Sequence, residues 1–397
     1  MQSLTYIWRK LWNELKQFPR KGDMVLLLLC LITSGFGMVV LASTTNAEKF
    51  GSNVSYIINQ LVATVMGIAA YAVVSSIDAE SLAERRRGLV VFNTFMLLLL
   101  IPFGVTRGGN RSWLDIPLMP FNIQAAEVCK LTFIVIIASV MNSHQNRISS
   151  PYSITHIGFH LAFFMGVNML LSKDMGVSLI FVFITLGMAF SGGVSMAWFG
   201  GAGALATVAA PVLWEFVLKD HQKRRILVLV DPTIDPLGID ERYHTNLSLK
   251  SLTGGGLTGQ GLFSGNRTQG GLLYAQHTDY VFSSIGEELG YIGCIVVILL
   301  ELAIILRCIY VGMRTPNYMR RLICFGAASS MIFQVFINVG MCIGVMPVVG
   351  LTLPLISYGG SSIVSIYAML GLVSGAHARP DHLSYERYIQ PPRYYIE

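Results

Sequence analysis

The sequence has little charge. Asp, Glu, Lys and Arg make up 13% of its 397 residues, whereas a soluble globular domain carries about 25%. Hydrophobic residues make up 53%. This composition excludes a soluble enzyme, a disordered chain and a protein with a single membrane anchor. It also disfavours an outer-membrane barrel, because barrel strands alternate apolar and polar residues and the apolar runs here are continuous.

Cysteine is also scarce, and its placement excludes two further kinds of site. All six cysteines fall inside or beside apolar runs: Cys30, Cys129, Cys294, Cys308, Cys324 and Cys342. Such positions are typical of small residues that pack between helices. They argue against a disulfide framework and against a cysteine metal site.

Long apolar runs are what the sequence has in abundance. They lie at about 24–43, 56–76, 88–103, 125–142, 155–171, 175–191, 195–217, 291–312, 322–344 and 353–375. Each is close to the ~20 residues that a helix needs to cross the hydrocarbon of a bilayer. Only Ser172, Lys173 and Asp174 separate the fifth run from the sixth. The sequence therefore predicts an all-α polytopic membrane protein with about ten transmembrane helices.

The distribution of Lys and Arg predicts the orientation, because cytoplasmic segments carry an excess of both. If the N-terminus is cytoplasmic, the inside segments hold most of the basic residues. The short outer loops then hold only Lys49, Arg107, Arg111 and Lys173. We therefore expect both termini to be cytoplasmic. Topology explains most of the net charge of +6, so we expect no nucleic-acid partner.

Two cytoplasmic tails are predicted to flank a membrane domain at 24–376. In the first tail, residues 1–23, apolar side chains recur at helical spacing among basic ones. This pattern favours a helix lying in the headgroup layer, and a frayed tail is the alternative. The second tail is 377–397.

One connection is exceptionally long. Residues 218–290, between spans seven and eight, are predicted to form an extracytoplasmic loop, and loops of this length are usually functional. The loop is dense in glycine between Gly254 and Gly271, and it ends with His277 and Asp279 beside the next span. Glycine lets the backbone approach a ligand closely. Asp279 lies where the glycine-rich loop becomes a helix that enters the membrane, and Thr278 or Asp279 could simply be the N-cap of that helix.

Ionisable residues within spans are costly and are often functional. Glu127 and Lys130 lie three apart on one face of span four. They are interpreted as a mutual salt bridge, as a charged wall of an outward-facing cavity, or as both. Asp174 is placed to cap a helix start, and Glu301 is interpreted as a packing or lumen residue.

Span ten is preceded by an interrupted apolar segment. The segment contains two prolines, Pro347 and Pro354, and a Gly-Gly pair. The hydroxyl residues Ser357 and Ser361 lie on either side of that pair. Broken helices at membrane depth are tolerated where they face protein or a polar cavity. The sequence therefore predicts a cavity beside the long loop.

These motifs together resemble the SEDS family (shape, elongation, division and sporulation), of the RodA/FtsW/SpoVE type. Pro347 to Ser362 resembles the family signature, and similar motifs occur in order at 109–114, 124–130, 174–176, 225–236, 255–261, 277–280 and 287–290. The sequence departs from the family pattern at four positions: Ala125 and Ala126 replace Pro-Ser, Lys173 replaces a proline, and Lys250 replaces an apolar residue.

The resemblance implies a peptidoglycan glycosyltransferase at the outer face of the bacterial cytoplasmic membrane. Its substrate would be lipid II, a disaccharide-pentapeptide on undecaprenyl diphosphate, and Asp279 matches the family's essential acid. A base must accept the proton of the acceptor hydroxyl, and cations could neutralise the diphosphate. The candidate substrate-binding residues are Glu127, Lys130, Arg111, Lys250, His277, Ser357 and Ser361.

The resemblance also implies a class B penicillin-binding protein as the partner that crosslinks the product. No metal ligands or resident cofactor are assigned, and assistance of the diphosphate by Mg²⁺ or Mn²⁺ is left open. Two other classes of function are considered: a lipid II flippase or solute transporter, and a non-catalytic scaffold for the penicillin-binding protein. Roles in elongation, division and sporulation are not distinguished.

Overall fold

In the computed structural model, the described residues are 18, 20–46, 53–107, 110–115, 121–216, 218, 220–235, 242–273 and 275–379. The predicted headgroup helix in the first tail and most of the second tail lie outside the described residues.

The described chain is almost entirely helical. Its first half forms α1 (Met24–Thr44), α2 (Asn53–Ser76), α3 (Ala79–Glu84), α4 (Arg86–Leu98), α5 (Leu100–Phe103), β1 (Gly104–Arg107), β2 (Asn110–Leu114), β3 (Ile123–Gln124), α6 (Ala125–Ser143) and α7 (Pro151–Leu171). Its second half forms α8 (Met175–Ser191), α9 (Met196–Phe216), α10 (Asp220–Val230), α11 (Tyr243–Gly254), α12 (Asn266–Gln269), α13 (Val281–Arg314), α14 (Tyr318–Cys342) and α15 (Gly360–Ala378).

The predicted membrane architecture is confirmed. Nine helical stretches of the described residues are long and apolar enough to cross a membrane, and α8, with 17 residues, is a shorter apolar helix. The break between the fifth and sixth runs falls at Ser172–Asp174, as expected. The cytoplasmic location of the two termini stays a prediction.

A small antiparallel sheet is the feature that the all-α prediction missed. The strand order is β1-β2-β3, with Val105 opposite Trp113 and Trp113 opposite Gln124. β-branched and aromatic residues favour a pleated strand. These strands have at most five residues, which is too short to show a periodic pattern beside runs four times as long.

Close packing between α2 and α15 depends on small residues. A Cβ added at Gly371 would lie 2.7 Å from the Tyr71 carbonyl oxygen, and one added at Gly375 would lie 3.0 Å from that of Ser75. Transmembrane helices gain stability mainly from such close contact, because lipid tails are as apolar as the side chains. The six cysteines are free and buried, as predicted, and the carboxyl group of Glu301 is buried within α13.

The segment predicted as a long loop contains helices α10, α11 and α12, so it is more ordered than a loop. Its end differs too, because α13 already begins at Val281. The backbone of α13 is non-helical at Gly290, with φ 68° and ψ −167°. A short helical piece, 281–289, therefore precedes the spanning part of α13.

Candidate active site

Three consecutive carbonyl groups hold the end of the long loop in place. The carbonyl oxygen of His277 accepts a hydrogen bond from the Tyr358 backbone N–H at 2.8 Å. The Thr278 oxygen accepts one from the Ser357 hydroxyl at 2.7 Å. The Asp279 oxygen accepts one from the Asn338 amide at 2.8 Å. The interrupted segment before α15 thus fixes the backbone of His277–Asp279 against α14.

The Asp279 carboxyl group is partly buried beside a glycine. A Cβ added at Gly350 would lie 3.5 Å from Asp279 Oδ2, and Gly350 has a φ of +76° that few other residues adopt. Burial raises the pKa of Asp279 from 3.8 to about 6; a hydrogen bond from Thr278 lowers this pKa and the charge of Asp174 raises it. The carboxylate is therefore more basic than an ordinary aspartate and is still ionised at neutral pH.

Helix capping does not explain Asp279. The residue at the N-cap of α13 is Tyr280, and no side chain makes a capping hydrogen bond there. The capping alternative is therefore wrong for both Thr278 and Asp279. Capping is confirmed at Asp174, whose Oδ1 accepts a hydrogen bond from the Val177 N–H at 3.2 Å at the start of α8.

Glu127 and Lys130 form the ion pair that their spacing predicts. Lys130 Nζ lies 2.8 Å from Glu127 Oε2 and donates to Gln334 Oε1 at 3.2 Å. Both charged side chains are buried. The pair connects α6 to α14, and its partners in this structure are protein atoms.

Asp174 joins this pair to Asp279 electrostatically. Its Oδ2 accepts hydrogen bonds from the Ser112 hydroxyl at 3.2 Å and from the Gln124 amide at 3.3 Å. Burial raises the pKa of Asp174, these hydrogen bonds oppose the rise, and the charge of Glu127 adds to it. The carboxyl groups of Asp174, Glu127 and Asp279 therefore share one region at the ends of α6, α8 and α13.

Both predicted serines make structural hydrogen bonds close to this region. The Ser357 hydroxyl donates to Thr278 and also accepts from the Leu353 N–H at 2.9 Å. The Ser361 hydroxyl accepts from the Gln124 N–H at 3.1 Å. Each hydroxyl is buried and positions the loop end or the strand before α6.

The predicted imidazole of His277 lies between two aromatic rings. Its centroid is 5.3 Å from that of Tyr56 in an edge-on arrangement and 5.7 Å from that of Tyr358. These contacts fix the orientation of the His277 ring. They also connect the end of the long loop to α2, which contains Tyr56.

The other two predicted cations are not gathered around Asp279. Arg111 lies on β2, where its guanidinium donates to the carbonyl oxygens of Gly104 and Ile101 at 3.1 and 2.8 Å. Lys250 is an exposed residue of α11. Among the described residues, neither side chain makes a hydrogen bond with Asp279.

A pair of buried glutamates forms a loop clamp that the sequence did not predict. Glu287 accepts from the Thr268 N–H at 2.9 Å and from the Arg267 N–H at 3.0 Å. Glu288 accepts from the Gln269 amide at 2.7 Å. Charged residues this close to a span are usually interfacial, and both of these carboxyl groups are buried instead. The signal for the clamp was their closeness in sequence to the glycine-dense segment, which needs acceptors for its N–H groups.

Glycine is required in this clamp because two backbones meet. The N–H groups of Gln260 and Gly261 donate to the carbonyl oxygens of Glu287 and Glu288 at 2.9 and 3.0 Å. A Cβ at Gly259 would lie 2.1 Å from the Glu288 oxygen, closer than any carbon can approach. The break at Gly290 leaves those carbonyl groups available to the loop.

Three glycines around the last two spans, Gly340, Gly344 and Gly350, are small enough to admit a transmembrane helix of a partner or to pack within the bundle. A Cβ added at Gly340 would lie 2.7 Å from Met346, one at Gly344 would lie 3.1 Å from Thr245, and Gly350 faces Asp279. These neighbours support internal packing at Gly340 and Gly344, whereas Gly350 is exposed; docking of a partner helix at these glycines stays a prediction. Among the described residues, no three His, Cys, Asp or Glu side chains are grouped so that they could hold a metal ion.

Known proteins resemble this chain over nearly its full length. Peptidoglycan glycosyltransferase MrdB of Escherichia coli K12 is 29% identical over 375 residues, covering 94% of this chain and 96% of that protein. A probable peptidoglycan glycosyltransferase FtsW of Thiomicrospira cyclica is 31% identical over 359 residues, covering 89% and 90%.

Solved structures show the same fold. A chain from a peptidoglycan synthase complex, described as coordinating polymerization and crosslinking, superposes with a TM-score of 0.75 at 27% identity, covering 90% of this chain and 97% of that one. The rod shape determining protein RodA of Thermus thermophilus gives a TM-score of 0.64 at 24% identity, covering 90% and 96%. The family model for the FtsW, RodA and SpoVE type, described as cell cycle protein, matches residues 23–382. The chain therefore belongs to the FtsW/RodA/SpoVE family.

Proposed function

We propose that this protein is a peptidoglycan glycosyltransferase that polymerises lipid II, with Asp279 as the catalytic base. The observation that carries the proposal is the fixed and partly desolvated carboxyl group of Asp279 at the end of the long loop. The relatives named peptidoglycan glycosyltransferase support the reaction class. Lipid II supplies both the sugar that is transferred and the diphosphate that leaves.

The reaction needs one proton acceptor and one tolerated leaving group. A hydroxyl group of the acceptor sugar attacks the anomeric carbon of the donor, a C–O bond forms, and the bond from that carbon to the diphosphate breaks. Asp279 takes the hydroxyl proton, and undecaprenyl diphosphate departs. General-base catalysis works best when the pKa of the base is near the working pH, and a pKa of about 6 meets that condition better than an ordinary aspartate.

The backbone grip on His277–Asp279 contributes positioning. A base must lie within hydrogen-bond reach of the proton it removes, and a loop that moved freely would rarely place it there. The three carbonyl hydrogen bonds and the loop clamp limit this motion. Arg111 and Lys250 are retained as candidate partners of the diphosphate, because both are exposed cations.

A class B penicillin-binding protein is the proposed partner. The similar chain from a peptidoglycan synthase complex supports an assembly of this kind. We assign the contact to α13, because an apolar stripe on it is exposed at helical spacing: Tyr291, Ile295, Leu302 and Leu306. This stripe begins at the Gly290 break, so a bound helix would steady the loop clamp and with it Asp279.

The test is polymerisation of lipid II by the purified protein, followed by gel analysis of glycan strands. We expect strands from the wild type and none from Asp279→Asn, with Asp231→Asn as a matched control on the same segment. Strands from Asp279→Asn at the wild-type rate would refute the role of Asp279. If the wild type makes no strands alone or with its partner but moves lipid II between leaflets of vesicles, the protein is a flippase.

A further inference from the structure

A cleft of about 360 Å³ lies between the ends of α5 and α7. Two cations line it, Arg111 and Lys173, and the rest of the wall is largely aliphatic: Leu100, Ile101, Leu170 and Leu171. Leu170 is 80% exposed, so the aliphatic wall is open to the surroundings. In the predicted topology this cleft faces the outer headgroup layer.

The Arg111 guanidinium is fixed in the cleft with donors to spare. Its Nε and one Nη2 N–H bond the carbonyl oxygens of Gly104 and Ile101. Arginine has five N–H donors, so three have no partner among the described residues. The guanidinium packs closely against Gly104, because a Cβ added there would lie 2.8 Å from Nε.

Lys173 is held beside Arg111 by an unusual backbone. Its φ is +58°, a left-handed conformation that costs a residue with a Cβ about 1–2 kcal/mol. The neighbouring Ser172 carbonyl accepts a hydrogen bond from the Arg111 N–H at 3.1 Å, which joins this turn to β2. The adjacent Asp174 carboxylate bonds Ser112 and Gln124 instead. The described residues therefore supply no acidic partner for Lys173.

We propose that this cleft binds the phosphate of a membrane lipid that has a net negative charge, with the lipid chain lying along the aliphatic wall. Arginine N–H donors and a lysine ammonium suit phosphate oxygens, and the open aliphatic wall suits a hydrocarbon chain but not a soluble anion. Two lipids carry this chemistry: an anionic glycerophospholipid and an undecaprenyl phosphate. Only the choice of undecaprenyl phosphate as the occupant rests on the proposed function.

The experiment is native mass spectrometry of the purified full-length protein titrated with phosphatidylglycerol, undecaprenyl phosphate or phosphatidylcholine. Lys173→Asn removes the charge and suits the left-handed backbone, since asparagine adopts it readily. Lys173→Arg keeps the charge. Arg224→Asn is the matched control, because it removes another exposed cation of the same predicted face.

We expect Lys173→Asn to bind at least one of the two anionic lipids about fivefold more weakly, the contribution of one cation near a membrane surface. Lys173→Arg and Arg224→Asn should bind like the wild type, and phosphatidylcholine should bind all variants equally. The lipid whose binding falls identifies the occupant. Competition by millimolar inorganic phosphate should leave lipid binding unchanged, because a soluble anion gains nothing from the aliphatic wall.

Three results would overturn the proposal: unchanged binding of both anionic lipids by Lys173→Asn, an equal loss in Arg224→Asn, or full displacement by inorganic phosphate. Thermal unfolding of Lys173→Asn should match the wild type, which separates a lost site from a misfolded protein. Asp279→Asn should retain lipid binding, so an error in the catalytic assignment leaves this test intact.

Discussion

Replacing Asp279 by Asn should abolish glycan synthesis and at the same time stabilise the protein. An amide has the size of the carboxyl group but cannot accept the proton of the acceptor hydroxyl. It also carries no charge, so it avoids the cost of keeping a carboxylate partly buried beside Asp174. Loss of activity with a gain in stability would distinguish a catalytic carboxylate from a structural one.

The expected gain follows from the pKa of Asp279. A pKa raised from 3.8 to about 6 corresponds to about 3 kcal/mol. The native state binds the proton of Asp279 more tightly than the unfolded state does. Below about pH 4 the carboxyl group is protonated in both states, so its burial costs the wild type no stability from ionisation. As the pH rises towards 6, the free energy of unfolding of the wild type falls. Because the side chain is partly exposed, we expect Asp279→Asn to gain between about 1 and 3 kcal/mol above pH 6.

The assay is thermal unfolding of both proteins in detergent at pH 4.5 and 7.5. The melting temperature of Asp279→Asn should exceed that of the wild type by a few degrees at pH 7.5, and this advantage should shrink at pH 4.5. Asp231→Asn is the control of opposite sign, because hydrogen bonds from Thr233 lower the pKa of Asp231. Equal or lower stability of Asp279→Asn at pH 7.5 would refute the proposed desolvation.

Three further predictions concern pH, glycine and the buried pair. The polymerisation rate of the wild type should fall with a midpoint near pH 6 as Asp279 becomes protonated; a flat profile from pH 5 to 8 would contradict a base of that pKa. Gly259→Ala should cost at least about 2 kcal/mol and most activity, while Gly200→Ala, which meets no atom within 4 Å, should change neither. Glu127→Gln and Lys130→Met should each cost about 3–5 kcal/mol, and a double mutant whose cost equals their sum would disprove direct pairing.

Some features of the site were available from the sequence because they depend on local spacing. The i, i+3 separation of Glu127 and Lys130 places them on one helix face wherever that helix packs. Asp174 precedes an apolar run, so a capping role follows from its position. The assignment of Asp279 depends partly on the family resemblance, because its position in the sequence also suits a helix cap, and the structure places Tyr280 at the cap.

The apolar runs by themselves determined the membrane fold. Hydrocarbon excludes unsatisfied backbone groups, so a run of about 20 apolar residues has little choice but to form a helix. The grip on His277–Asp279 depends instead on residues such as Ser357, which is 79 positions away from the Thr278 carbonyl it bonds. The contacts of Glu287 and Glu288 with the glycine-dense segment also join residues that are far apart in the sequence. Only the tertiary structure decides such pairs, because helical periodicity encodes which face a residue occupies, whereas the packing of whole helices determines which groups that face meets.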